Sequence, residues 1–290
     1  MRRRRFSTLG LIVVAIVLVG PVDPLMAEKQ FDGRLITDKW YVSLGTSSSS
    51  FNTEGQIGLG SVLGTFIRLE DDLELDDNQS VFRINGFYAF NRKHVIDFTF
   101  GSVSRQETST IDKQFTIANP DDGELVTFLI GAQIQTAFQS DSAKIFYKYA
   151  FQNTGRLRAG IGAGLSVFDY KLEFTGDGEV DDGSGSIVFK STAVSEHLLA
   201  PIPSMMLFVD YALTQRLILR THAGFFRLDL DDIEGRLIET RLTLDYFFAK
   251  HFGVGLGLEG SDISYRERDD KPIFVDVSQS SIVLYVGVAF

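Results

Sequence analysis

The chain of 290 residues contains no cysteine. That excludes disulfides, thiol nucleophiles, cysteine-ligated zinc and iron–sulfur clusters. It also excludes an acylated cysteine anchor behind an export signal. Proline is scarce, at 6, and tryptophan occurs once. Basic charge is in deficit, with 28 Lys+Arg against 38 Asp+Glu and a formal net charge of −10. A nucleic-acid partner is excluded on that ground, because neutralising phosphates needs a basic surface. Long apolar runs are also missing. Beyond Asp38 no segment approaches the roughly 20 apolar residues that a membrane-crossing helix needs. What is present is 25 Phe, 27 Gly, 12% aromatic and 23% charged residues. Such a composition is neither disordered nor collagen-like, and the length suffices for one large domain with a sizeable core.

The N-terminus is different in kind. Arg2 to Arg5 form a cationic stretch, Leu9 to Gly20 are uncharged and apolar, and Pro21 to Pro24 break the run ahead of Leu25-Met26-Ala27. This order reads as a secretory signal over residues 1–27, cleaved after Ala27. A short uncleaved anchor is the alternative. Removing it takes away four Arg and Asp23, a net +3, and leaves residues 28–290 at about −13 as a single domain.

Elsewhere the recurring pattern is period two. Ile282, Leu284, Val286, Val288 and Phe290 alternate with Val283, Tyr285, Gly287 and Ala289. Leu217, Leu219, Thr221, Ala223 and Phe225 alternate with Ile218, Arg220, His222 and Gly224. Ile238, Thr240, Leu242, Leu244 and Tyr246 alternate with Glu239, Arg241, Thr243 and Asp245. Successive strand side chains point to opposite faces, so each segment has an oily and a polar face. A soluble sandwich turns the oily face inward; a membrane barrel turns it towards lipid and keeps the polar face in its lumen.

Several features favour the barrel. Gly86-Phe87-Tyr88-Ala89-Phe90-Asn91, Tyr147-Lys148-Tyr149-Ala150-Phe151-Gln152, Val209-Asp210-Tyr211-Ala212-Leu213-Thr214 and Leu244-Asp245-Tyr246-Phe247-Phe248-Ala249 repeat one motif, each followed by a short polar turn. Aromatics at one end of each hairpin form an interfacial girdle; aromatic core at a sandwich end is the bland reading. The opposite connections are longer and acidic: 71–79, 109–122, 175–186, 231–235 and 268–276. Short periplasmic turns and long extracellular loops are the asymmetry of outer-membrane barrels.

The last strand ends in Phe290, preceded by Ile282, Leu284, Val286 and Val288 at alternating positions. This resembles the C-terminal assembly signal of bacterial outer-membrane β-barrels, although the aromatic often found two residues before the terminus is Val288 here. The resemblance identifies the superfamily of small outer-membrane barrels, and no single member. It implies residence in the outer membrane of a Gram-negative envelope. It also implies contact with outer-membrane lipid and lipopolysaccharide, and recognition by the outer-membrane assembly machinery.

An even count follows if both termini are periplasmic. Four firm turns imply ten strands. A fifth at Gly60 to Gly64 raises the expectation to twelve in an antiparallel up-and-down barrel, with ten as the alternative. The extra pair would be strands 51–59, with Asn52, Glu54 and Gln56 facing in, and 64–71. Residues 114–117 and 125–128, flanking Asn119 to Gly123, read as a hairpin standing above the membrane.

The polar face carries the candidate chemistry. Arg68, Arg83, Asp97, Lys144, Arg158, Arg220, His222, Glu239, Arg241 and Glu259 are predicted to line the lumen, with Glu70, Asn85, Lys148, Asp210 and Asp245. A turn centred on Lys250 sets Arg241 opposite Glu259 and Asp245 opposite Gly255. These groups read as a constriction in a narrow, porin-like channel passing a small polar solute, or as a salt-bridged plug in a closed structural barrel acting through its acidic loops. An outer-membrane lipid-modifying enzyme is a further alternative. However, none of His94, His197, His222 and His251 starts the His-x-Ser element such enzymes use, and no catalytic residue is assigned. Asp177 to Gly183 superficially resembles a calcium loop but lacks the glycine and distal glutamate of that pattern. No metal or cofactor is expected, and His197 falls in a stretch with no regular pattern.

Overall fold

A computed structural model describes residues 38–57, 65–118, 125–181, 187–268 and 273–290. The export signal expected over residues 1–27 and the turn expected at 60–64 lie outside the described residues. The elements are β1 (Trp40–Ile57), β2 (Ile67–Arg68), α1 (Leu69–Asp72), β3 (Asn78–Ala89), β4 (His94–Thr110), β5 (Phe115–Ala118), β6 (Leu125–Phe128), β7 (Gln133–Asn153), β8 (Leu157–Asp181), β9 (Ile187–Ala212), β10 (Leu217–Asp229), β11 (Ile233–Tyr246), β12 (Phe252–Glu267) and β13 (Ile273–Ala289).

Among the described residues ten strands close an antiparallel barrel in the order β1-β3-β4-β7-β8-β9-β10-β11-β12-β13, with β13 returning to β1. Closure removes every edge over the membrane section and pairs each backbone group there, as lipid requires. The ten-strand alternative is therefore the observed one. Two of the twelve expected strands fail for local reasons. The segments expected as separate strands at 39–47 and 51–59 fall, as far as Ile57, on the one strand β1, because the hydroxyl run Thr46 to Ser50 continues the ladder to β13 without a turn. Within it Thr53 is buried and Asn52 exposed, opposite to the facing expected of that segment. Residues 64–71 do not cross: β2 is two residues long, pairs β1 only at Glu54 and Gly55, and runs into the helical turn α1.

The exterior is an apolar belt. Ile282, Leu284 and Val286 are 57%, 61% and 59% exposed, and their neighbours across β12 and β13 include Leu256 and Leu258. A soluble domain does not expose a continuous band of this kind; on a closed barrel it is the lipid-facing surface. Below it lies the aromatic girdle. Trp40 packs at a tilt against Tyr88, with ring centroids 4.3 Å apart, and Tyr88 meets Phe90 edge to face at 4.8 Å. His94 packs on Tyr149 and bonds the Tyr147 hydroxyl, and His251 stacks on Phe290. All four motif copies are here, beside tight turns capped by Asn91, Asn153 and Thr214.

At the other end the wall is uneven. β8 and β9 are 25 and 26 residues long, against 13 and 14 for β10 and β11. A tilted span needs about 9–11 residues, so the long strands rise well above the membrane. Residues 175–181, expected in a loop, are strand; those of the calcium-like segment up to Asp181 lie on β8. The 231–235 connection is a tight turn, closed by Leu230 N donating to Ile233 O. His197 lies on β9, bonded to Asp169 of β8 at 2.7 Å on the outer wall. The expected hairpin is β5–β6, with Phe115 opposite Phe128; it continues the wall by pairing β6 to β8 above β7.

Candidate functional site: the charged lumen

Inside, the barrel is layered. The periplasmic floor is apolar: Phe87, Ala89, Val95, Ala212, Ile218, Phe247, Val283 and Ala289 pack together with the rings of Tyr41 and Tyr285. The extracellular mouth is covered by a larger apolar cluster. It joins wall residues such as Phe138, Phe168 and Ile263 to Leu69 of α1, Leu73, Leu75, and Phe115, Ile117, Val126 and Phe128 of the hairpin. Between floor and cap lies the charge.

Nine of the ten predicted lumen residues face inward. Glu259 on β12 is held from two sides, by Arg241 directly opposite on β11 at 2.6 Å and by Arg83 from β3 at 2.7 Å. Lys144 of β7 ion-pairs with Glu239 of β11 across the barrel. Lys148 reaches Asp97 at 2.7 Å. Arg158 makes two bonds to Asp210, at 2.6 and 2.9 Å. Arg220 bonds Asp245 at 2.8 Å and lies 3.5 Å from Asp210. Asp245 also accepts from the hydroxyls of Tyr41 and Tyr285, at 3.1 and 2.8 Å. His222 sits opposite Arg241 in the middle of this set. The register pairs Arg241 with Glu259 and Asp245 with Gly255, as the Lys250 turn implies.

The tenth residue, Arg68, is outside the network. Because its segment leaves the barrel wall at β2, the guanidinium is half-exposed and meets Asp71 and Asp72 instead. Its neighbour Glu70 does turn inward. It pairs with Arg105 at 2.6 Å, and Arg105 is fully buried, bonds Thr53 and lies over the rings of Phe51 and Phe138. Arg105 is missing from the predicted set, although the alternation Asp97, Thr99, Gly101, Val103, Arg105 on β4 places it on the same face. This pair ties α1 to the barrel interior beneath the apolar cap.

Glycine makes the layer fit. Gly253, Gly255 and Gly257 are all inward on β12. A Cβ on Gly255 would lie 2.1 Å from the Tyr285 ring, so only glycine lets that ring cross to Asp245. The serines of β1 contribute a neutral patch: Ser49 bonds Ser47 and Ser281, and Gln279 bonds Ser49 and Ser281.

Desolvating so many charges costs several kcal/mol per ion unless partners are in place, and here each carboxylate named above has a cationic partner. Two cavities of about 60 Å³ each lie within this set. One lies on the floor side, lined by Tyr41, Asp97, Lys148 and Asp245; the other lies under the cap, lined by Phe138, Lys144, Tyr170 and Ser261. His222, Arg241 and Glu259 border both and stand between them. The arrangement can hold ions in fixed pairs and water in small pockets.

The five apolar residues of the terminal strand, Ile282, Leu284, Val286, Val288 and Phe290, all face outward. The last residue also closes the barrel seam. The Phe290 carbonyl accepts from the Lys39 and Trp40 amides, and its own amide donates to Trp40.

No protein-family model matches the chain, and no curated protein does. Among solved structures, the outer membrane protease OmpT from Escherichia coli is similar at 10% identity and a TM-score of 0.55, over 88% of this chain and 97% of that one. The outer membrane protein OprG from Pseudomonas aeruginosa is similar at 10% identity and a TM-score of 0.38, over 90% and 99%. The translocator domain of the autotransporter NalP from Neisseria meningitidis is similar at 12% identity and a TM-score of 0.40, over 97% and 95%. The likeness to OmpT shows a shared fold, that of an outer-membrane β-barrel, which agrees with the apolar belt and aromatic girdle.

Proposed function

We propose that this is a closed outer-membrane barrel whose transmembrane section is a filled stem, and whose dealings with other molecules are made by its extracellular head. The observation that carries this is the clamp on Glu259 by Arg241 and Arg83, which crosses the lumen between two small cavities. An apolar floor and an apolar cap add two further barriers on the same path. The raised walls of β7 to β9 with the β5–β6 hairpin form a head large enough to meet a partner.

The second reading is a narrow passive channel for small polar solutes. It is supported by the cavities themselves: a single layer of side chains divides two polar spaces, and moving it would join them. Planar-bilayer recording of refolded wild-type protein decides. The closed barrel predicts no steady conductance, whereas stable ohmic steps with a defined ion selectivity would establish the channel.

A further inference from the structure

We infer that the outer face of the β10–β11 hairpin holds a phosphate of an outer-leaflet lipid between Arg227 and Arg236. The inference rests on the membrane-spanning reading of the barrel and is independent of whether the lumen is open. Arg227 is directly opposite Arg236, and one step below them Phe225 is directly opposite Ile238. Phe225 is exposed and belongs to the apolar belt. The two arginines therefore stand roughly 7 Å above the last lipid-facing row, two strand residues along. That is the depth of lipid headgroups.

Like charges directly opposite on one sheet face are destabilising. Side chains in that position start about 4.5–5.5 Å apart, so two guanidinium forks can converge on one phosphate. The nearby carboxylates do not fill this role. Glu234 is engaged by Arg266 at 3.6 Å and by Arg268. Asp229 lies 3.7 Å from Arg227, whose side chain stays 80% exposed. Arg236 is exposed and makes no ion pair among the described residues.

A second observation comes from the strand next door. The β9–β10 ladder stops at Met205 opposite Phe225, although both strands continue. Pro203 and Pro201 stand exposed on β9 just beyond the last pair. Above Phe225 the β9 side of Arg227 is therefore unoccupied by a paired strand, which leaves room for a headgroup, while the exposed Phe225 below it flanks the acyl chains. The same rim elsewhere presents hydroxyls (Ser48, Ser80, Ser102) or carboxylates: Asp141 and Asp169 on β7–β8, and on β12–β13 Asp276 and Asp262, the latter accepting from Ser278 at 2.6 Å. A phosphate is attracted to β10–β11 and repelled from β7–β8.

The test uses the full chain refolded in an uncharged detergent. Native mass spectrometry follows titration with bis-phosphorylated lipid A, with the same lipid dephosphorylated, and with inorganic phosphate as competitor. The expected result is one bound lipid A. Arg227→Gln and Arg236→Gln should each weaken it at least tenfold, and Arg266→Gln should leave it unchanged. Removing the phosphates from the lipid should weaken binding to the wild type equally, an arm that needs no variant to fold. Unchanged affinity in the double variant, or equal binding of the dephosphorylated lipid, overturns the assignment. Displacement by equimolar inorganic phosphate would overturn the lipid as the source of the phosphate.

Discussion

Removing Glu259 should destabilise the barrel more than removing Arg241, although they form one ion pair. The asymmetry follows from Arg83. In the wild type one carboxylate is shared by two guanidinium groups, at 2.6 and 2.7 Å. Arg241→Ala leaves Glu259 still paired with Arg83, so the loss is that of one charged contact, about 1.5–3 kcal/mol. Glu259→Ala leaves two buried cations facing each other with no shared anion. Breaking a buried pair in this way costs roughly 3–5 kcal/mol. Replacing Arg83, Arg241 and Glu259 together by apolar residues of similar volume should cost little, or stabilise by about 1–4 kcal/mol, because the desolvation penalty disappears with the charges. The assay is a urea titration of refolding into lipid vesicles, followed by heat-modifiable mobility. Equal costs for the two single variants, or a larger one for Arg241→Ala, would refute the shared-carboxylate geometry. If the channel reading held instead, both residues would be solvated and each cost would fall below about 1 kcal/mol.

Other expectations are as specific. Leu256→Arg, in the middle of the exposed belt, should cost about 2–4 kcal/mol in the same vesicle titration, while Ser48→Arg at the rim should cost about 0–1; equal effects would overturn the depth assigned to the belt. Gly255→Ala should displace the Tyr285 ring from Asp245 and cost roughly 1–3 kcal/mol, seen as a lower urea midpoint with unchanged far-ultraviolet dichroism; a midpoint like that of the wild type would deny the close approach. Deleting Phe290 should leave export intact but impair membrane insertion, since it removes the residue that bonds Lys39 and Trp40 across the seam; normal heat-modifiable protein in the outer-membrane fraction would contradict it.

Much of this architecture was legible because alternation is a local signal. Facing along β3, β7, β10, β11, β12 and β13 follows from residue parity alone, and the short Lys250 turn fixes register by counting. For the same reason nine of the ten lumen positions were reachable. Arg68 was not, because parity assumes that a segment crosses the membrane, and residues 65–72 instead turn into α1 after two strand residues. The hydroxyl run Thr46 to Ser50 separates two segments expected as distinct strands, yet it pairs Ser281 and Ser80 in one continuous ladder. The upper part of β9 was missed because Pro201 and Pro203 argue against a strand. They are tolerated where the β10 partner has already left, the edge position that proline can occupy. Which charges pair across the lumen, such as Lys144 with Glu239, depends on barrel closure and strand number, and no local pattern carries that.

The absence of cysteine makes the central claim directly measurable. Ser43 is buried on the inward face of β1 and lines the cavity between the apolar floor and the Glu259 layer. Ser48 lies on the same strand at the outer rim. In Ser43→Cys and Ser48→Cys variants reconstituted in vesicles, a membrane-impermeant cationic thiol reagent is applied from either side. A closed, plugged barrel predicts that Cys at position 48 reacts from outside while Cys at position 43 stays unmodified from both sides; rapid modification at position 43 from either face would contradict it.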